Sequence, residues 1–358
     1  MITISLCMIL KDEEKTIQRC LDNVKDIVDE IVIVDTGSKD NTKELIKEYT
    51  NKIYNFKWVD DFSKARNYSF NKATKDYILW LDADEIIDND NKYKLLELKK
   101  NLSENIDIIS MKSYINLDEN NKPQIIATRN RLVKRIKNYK WIGFVHEYID
   151  ICCEDNIYDS DIYIIHDKLK CVDDRNLKIY KKNIELGNNL NERDLFYYGK
   201  ELYCNEKFDK SINILENLIK KDICEEYMLE SLCKIAECYL YKKEGLKARE
   251  YLYKTFEYGI PSGEILYNIA LSFQQEEKYC QAIYWYEIIL NLKLNQDNNQ
   301  YNNICCLRFK PHLNLCFCYS MVGNIYKAYY HHKKCLELNP LNKCVKSNDE
   351  YFKCIFKE

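Results

Sequence analysis

One stretch limits what this chain can fold into more than any other: Asp76-Tyr-Ile-Leu-Trp-Leu-Asp-Ala-Asp-Glu-Ile-Ile-Asp88. Its apolar run, Tyr77 to Leu81, is short, rich in aromatic and aliphatic side chains and bounded by polar residues, which reads as a buried strand. The run drives into acids, with Asp82 and Asp84 one small residue apart. Carboxylates at the C-terminal end of such a strand stand where open α/β sheets bind their ligands. Two neighbouring acids are costly to bury as bare charges, and a hard divalent cation is the usual compensation. An acidic turn that merely solubilises a strand end would use the same residues, so the rest of the chain has to decide.

The first eighty residues predict an α/β sheet. Residues 2–9 read as a first core strand. Ile17, Cys20, Leu21 and Val24 then recur at helical spacing behind an acidic first turn. Ile31-Val-Ile-Val-Asp35 is a second strand that closes on a carboxylate. Thr36-Gly37-Ser38 makes the turn, and Asp40 or Asn41 can cap the helix carrying Leu45 and Ile46. A third strand is expected within Ile53–Val59, and a helix from Phe62 with Arg66 and Asn67 near its start. Such alternation implies a largely parallel sheet with crossover helices. From Ile106 to Tyr163 the pieces Ile106–Met111, Ile125–Ala127 and Phe144–Ile149 read as the second, mixed half of that sheet. The turn-rich Asp118–Pro123 interrupts them. Trp141-Ile-Gly-Phe-Val-His146-Glu147 is the second concentration of chemistry-capable side chains.

Beyond about residue 170 the pattern is helical and repetitive. Small or polar residues stand twelve apart four times: Gly199 and Ser211, Ala236 and Ala248, Ala270 and Ala282, Cys316 and Ala328. An aromatic residue or Leu follows the first member by three each time, at Leu202, Tyr239, Phe273 and Tyr319. This spacing resembles the tetratricopeptide helix–turn–helix, in which small residues let paired helices pack closely. Pro340 matches the motif's closing position, and the polar Asn291–Asn303 reads as an insertion between the third and fourth repeats.

Composition narrows the function classes. The 54 Lys and Arg nearly cancel the 57 Asp and Glu, leaving −3, so no global field recruits nucleic acid or an anionic membrane. The apolar start, Met1 to Leu10, has no basic residue before it and is too short to span a bilayer, which predicts no transmembrane segment and no signal peptide. Seventeen cysteines in a chain read as cytoplasmic predict reduced thiols on apolar faces rather than disulfides. His312, Cys316, Cys318, His331, His332 and Cys335 imitate a metal site, but they fall inside the repeats and read as packing residues.

The first ninety or so residues resemble family 2 glycosyltransferases of the GT-A fold. The resemblance rests on Lys11-Asp-Glu-Glu14, on Val32-Ile-Val-Asp35-Thr-Gly-Ser-Lys-Asp-Asn-Thr42, on Ala65-Arg-Asn67 and on Leu79-Trp-Leu-Asp82-Ala-Asp84-Glu85, in that order. With His146-Glu147 and the trailing repeats, the layout is similar to the sublancin-type peptide S-glycosyltransferases. It implies a GT-A nucleotide-diphospho-sugar transferase domain at 1–165, a mostly parallel mixed sheet flanked by helices. An all-α tetratricopeptide-like domain follows at 166–358.

The resemblance also implies site roles. Asp35 would hydrogen-bond the donor's base, typically uracil, with Asp12 or Glu13 lining the same pocket. Asp84 would bind Mn²⁺ or Mg²⁺ directly, with Asp82 turned toward ribose or a metal-bound water. Arg66 would pair with the donor or with Asp82, and Arg131, in the basic run Arg129 to Arg135, would contact diphosphate or sugar. His146 would be a further metal ligand and Glu147 the general base of an inverting transfer. Glu85 and Asp88 read as solvated neighbours, Trp80 as a core residue, and Trp141 or Tyr148 as a platform for a sugar ring. The resemblance implies a nucleotide-sugar donor, UDP-linked, and the expected acceptor is a peptide or protein bound by the repeats. A cell-envelope glycan or lipid-linked sugar as acceptor, a non-catalytic repeat scaffold, and homo-oligomerisation all stay open.

Overall fold

The computed structural model describes residues 1–117, 123–166, 174–292 and 307–356. The turn-rich 118–122 and most of the Asn291–Asn303 insertion lie outside these. The chain divides into two compact units, Met1–Gly187 and Asn188–Glu358.

The first unit is built on one eight-stranded sheet. Its elements are β1 (Ile4–Leu10), α1 (Ile17–Val24), β2 (Glu30–Asp35), α2 (Thr42–Ile46), β3 (Ile53–Asn55), α3 (Phe62–Phe70), β4 (Tyr77–Trp80), β5 (Glu85–Ile86) and α4 (Asn89–Asn101). There follow β6 (Ile108–Leu117), β7 (Pro123–Lys134), β8 (Trp141–Ile142), β9 (Tyr148–Ile149), β10 (Ile157–His166) and α5 (Arg175–Glu185). The strand order is β3-β2-β1-β4-β7-β6-β10-β5, and β8 and β9 form a separate small hairpin. β1, β2, β3 and β4 are parallel, and β7 enters antiparallel between β4 and β6.

Every residue of β1 and β2 is buried, as expected of central parallel strands covered on both faces. Ile4, Leu6, Met8 and Leu10 pack with α1 and with Leu95 of α4 on one face. Cys7, Val32, Ile78 and Trp80 meet Phe70 and Trp141 on the other.

Two expectations change here. Phe144–Ile149 is not a strand: β9 is confined to Tyr148–Ile149, and Gly143 (φ 101°) and His146 (φ 53°) break the extended backbone between it and β8. The boundary between units also falls later than 165. Helix α5 goes with the sheet, where Lys182 ion-pairs with Asp60 and Arg175 lies over the Phe62 ring, 5.0 Å from its centroid.

The second unit is a run of antiparallel helix pairs: α6 (Glu192–Cys204) with α7 (Phe208–Leu218), α8 (Glu225–Tyr241) with α9 (Gly245–Lys254), and α10 (Gly263–Gln275) with α11 (Tyr279–Asn291). A fourth pair, α12 (Phe309–Met321) with α13 (Ile325–Leu338), is followed by α14 (Lys343–Phe356). The twelve-residue spacing has an atomic counterpart. Ser211 donates to the Gly199 carbonyl at 2.8 Å, and a Cβ on Gly199 would come within 2.5 Å of Leu215. Each turn closes the same way, through backbone bonds from Lys207, Glu244, Lys278 and Asn324 to the carbonyls of Leu202, Tyr239, Phe273 and Tyr319. The residue before each donor, Glu206, Lys243, Glu277 and Gly323, is left-handed, the geometry of a Schellman cap. The sequence periodicity is therefore a repeated helix-pair register.

Of the described cysteines, all are free thiols, but half are exposed rather than on core faces. His312 and His331 share a 2.8 Å Nδ1···Nδ1 contact, and His332 faces Asp349 at 3.2 Å. Cys316, Cys318 and Cys335 are buried among helices, as their reading as packing residues requires.

Candidate functional site

The sheet delivers several strand ends to one edge. β1, β2 and β4 are parallel. β7 reverses, β6 reverses again, and β10 runs parallel to β6, so β10 points the same way as β4. Asp35 at the end of β2, the acids after β4 and His166 at the end of β10 therefore share the C-terminal edge.

The acidic turn is tightly built. The Glu85 N–H donates to the Asp82 carbonyl at 3.1 Å, and the Asp82 N–H donates to Glu85 Oε2 at 2.9 Å. Glu85 is 2% exposed, not solvated as expected. Arg131, itself 1% exposed, donates from Nη1 to Oε2 at 2.8 Å and from Nη2 to Oε1 at 2.5 Å. It donates further to Ser113 Oγ at 2.9 Å and lies 3.9 Å over the Trp80 ring. Arg131, expected on the donor, is thus buried behind the acids. β5 pairs antiparallel with β10, setting His166 opposite Glu85. His166 Nε2 is 3.6 Å from Asp84 Oδ2 and Nδ1 is 3.5 Å from Glu85 Oε1. Asp82, Glu85 and His166 can each bring one ligand atom within 4.8 Å of the others.

A second guanidinium ties this turn to the hairpin loop. Arg66 on α3 donates from Nη2 to Asp82 Oδ1 at 2.9 Å and from Nε to Glu147 Oε1 at 2.6 Å. Its guanidinium sits 4.9 Å from the Trp80 ring and 4.8 Å from the Trp141 ring. Asn67, the next residue, clamps Trp141: its Nδ2 donates to the Trp141 carbonyl at 2.9 Å and its Oδ1 accepts from the Trp141 N–H at 2.8 Å. The Ala65-Arg-Asn67 signature is therefore one residue for the acids and one for the loop. Trp141 is 4% exposed and cannot serve as an open sugar platform. His146 and Glu147 are both half-buried and lie in the loop between β8 and β9, so the strand alternation that would point them apart does not apply. His146 is not in the Asp82, Glu85 and His166 group.

Asp35, 1% exposed, spends its carboxylate on its own loop. It accepts from the Gly37 and Ser38 N–H groups at 3.1 Å and pairs with Lys43 at 2.9 Å. Asp12, left-handed at φ 54°, accepts from the Lys39 N–H at 2.7 Å and so laces the loop after β1 to the loop after β2. Asp88 caps α4 rather than meeting solvent, accepting from the Asn91 N–H at 3.0 Å and from the Tyr163 hydroxyl at 2.7 Å.

The electrostatics set the acids apart. Burial pushes the Asp82 carboxyl up, but Arg66 and Arg131 outweigh it and hold the group well below the usual range. Asp84 goes the other way: burial, with Asp82, Glu85 and Glu13 nearby, raises it despite His166. His166 is raised because Glu85, Asp84 and Asp82 outweigh its burial. Burial and the neighbouring acids thus disfavour the Asp84 anion, a condition a divalent cation relieves, and carboxylate oxygens suit Mn²⁺ or Mg²⁺.

Residues 5–153 match Glycosyl transferase family 2. The N-terminal unit is a family 2 glycosyltransferase domain. Two relatives frame it. The SPbeta prophage-derived glycosyltransferase SunS of Bacillus subtilis is 26% identical over 265 residues, 70% of this chain and 62% of its own. A TPR repeat-containing protein of Synechococcus elongatus is 51% identical over 85 residues, 24% of this chain and 21% of its own. The chain thus spans less than two thirds of either relative. Among solved structures, MamA from Desulfovibrio magneticus RS-1 aligns over 47% of this chain and 86% of its own, with a TM-score of 0.37 and 15% identity. Beside the family 2 domain, no helix among the described residues is long and apolar enough to cross a membrane.

Sequence reasoning missed His166, leaving it beyond the domain boundary. The signal was there in Asp161-Ile-Tyr-Ile-Ile-His166, an apolar run ending in a ligand-capable side chain like those ending in Asp35 and Asp82.

Proposed function

We propose that this chain is a metal-dependent, inverting glycosyltransferase that moves a sugar from a nucleotide-sugar donor, UDP-linked, to a peptide or protein acceptor in the cytoplasm. The observation that carries the reading is the gathering of Asp82, Glu85 and His166 at the C-terminal edge of a family 2 domain, with Asp84 3.6 Å from His166 Nε2 and destabilised as an anion.

Asp84 would hold the cation, with Asp82 beside it. We assign the imidazole ligand to His166 rather than His146, because His166 Nε2 faces Asp84. A divalent cation there supplies charge neutralisation for the departing nucleoside diphosphate. Asp35 is assigned to the donor's base through the Thr36–Ser38 turn that its carboxylate holds. Arg66 keeps Asp82 and Glu147 at fixed separation. Glu147 is the candidate base, taking the acceptor's proton as its O, S or N attacks the anomeric carbon and the bond to the diphosphate oxygen breaks. The acceptor class rests on the helix pairs, whose stacking offers an extended surface of the kind repeat proteins use for binding.

The test is incubation with Mn²⁺ and a panel of UDP- and GDP-sugars, reading nucleotide release. Release with one donor, abolished in Asp84→Ala, is the expected result. Absence of both turnover and binding with every donor overturns the enzyme reading.

A further inference from the structure

Glu85 is the third acid of the turn, and by distance alone it would count as a cation ligand. Its lone pairs say otherwise. Oε1 takes Arg131 Nη2 at 2.5 Å and faces His166 Nδ1 at 3.5 Å, while Oε2 takes Arg131 Nη1 at 2.8 Å and the Asp82 N–H at 2.9 Å. A carboxylate has about four acceptor sites, and all four are directed at donors of this chain. Arg131, 1% exposed, spends both Nη groups on Glu85, Ser113 and the Trp80 carbonyl, while its buried Nε–H has no hydrogen-bond partner among the described residues.

We infer that Glu85 and Arg131 are positioning residues that act through His166 and Asp82, and that neither touches cation or donor. Arg131 fixes the plane of the Glu85 carboxylate. Glu85 Oε1 then accepts the proton on His166 Nδ1, which leaves the Nε2 lone pair as the one turned to Asp84. Glu85 Oε2 holds the Asp82 backbone, setting the angle of the turn that carries Asp84. Such a carboxylate behind an imidazole selects tautomer and ring orientation. The inference rests on the proposed cation site only for its consequence in metal affinity, and the tautomer stands independently of that site.

Two readouts test it. Long-range ¹H–¹⁵N NMR on histidine-labelled protein, at a pH where the imidazoles are neutral, reports which nitrogen of His166 carries the proton, with His166→Gln giving the assignment. Mn²⁺ titration without donor reports affinity. The variant is Glu85→Leu with Arg131→Met, since replacing a buried ion pair by apolar groups of similar size is commonly tolerated where removing one partner is not. Thermal unfolding of the double variant checks that it folds. The expected results are an Nδ1–H tautomer in the parent, a mixed tautomer in the variant, and Mn²⁺ affinity lower by about 10- to 100-fold. An Nε2–H tautomer in the parent overturns the inference, as does a folded variant with parental tautomer and affinity. If the double variant does not fold, Glu85→Gln carries the same tautomer test. A parent that binds no Mn²⁺ but shows Nδ1–H defeats the proposed cation site and leaves the positioning role standing.

Discussion

Arg66 bonds Asp82 with one nitrogen and Glu147, 81 residues after Arg66, with another, so a single helix residue joins the acidic turn to the hairpin loop. The guanidinium is 9% exposed and lies against two indole rings.

Arg66→Ala is therefore expected to destabilise the family 2 domain by about 2 kcal/mol, less than the loss of a fully buried partner costs, because Asp82 and Glu147 are only partly buried. Arg66→Lys recovers little, because an ammonium cannot serve two partners in one plane or stack between rings. Chemical denaturation followed by circular dichroism measures both.

Asp84 gives a pH-dependent prediction. Its carboxyl is raised by burial and by neighbouring acids, so the folded chain binds that proton more tightly than the unfolded chain does. The associated stability is present in acid and is lost as pH rises from the ordinary carboxylate value through the raised one. Asp84→Asn should melt above the metal-free parent at neutral pH, on the order of 2 °C for each 1 kcal/mol in a domain of this size. The gap should close below the ordinary carboxylate range. A constant gap across pH would exclude Asp84 as its source.

Catalysis by Glu147 has its own measure. Glu147→Gln keeps the shape and the Arg66 contact but cannot take a proton. Transfer to the acceptor should fall by about 10²- to 10⁴-fold, while donor binding holds. Near-parental transfer removes Glu147 from the role of base.

The repeat turns test the second unit alone. Gly323 holds without strain the left-handed position that Glu206, Lys243 and Glu277 occupy in the other pairs. Gly323→Ala should cost about 1 kcal/mol, and Lys243→Gly should gain somewhat less than that. Differential scanning calorimetry resolves both, and equal effects of opposite sign are not expected because glycine also loosens the unfolded chain.

Much of this architecture was legible because local signals agreed with the global fold. Apolar runs ending in Asp35 and Asp82 announced parallel strands and their common edge. The twelve-residue spacing from Gly199 to Ser211 announced a close helix pair, and the turn bonds repeat it in register. What stayed hidden depends on pairing across the chain. Glu85 looks like any solvated acid until Arg131, 46 residues on, is seen to fill its oxygens. His166 acquires meaning only when the two-residue β5 sets Glu85 against it. Phe144–Ile149 read as a strand from its apolar and aromatic residues, while the left-handed Gly143 and His146 confine the strand to Tyr148–Ile149.

Trp80 and Trp141 meet edge to face at 4.9 Å, with Arg66 against both and Arg131 against the first. An indole's emission colour follows the charges beside it, and two of the chain's four tryptophans stand directly behind the acids. The molecule thus carries its own optical gauge. Arrival of a cation or a diphosphate at that edge changes the field on these rings, so occupancy can be followed by intrinsic fluorescence, with no label and no knowledge of the acceptor.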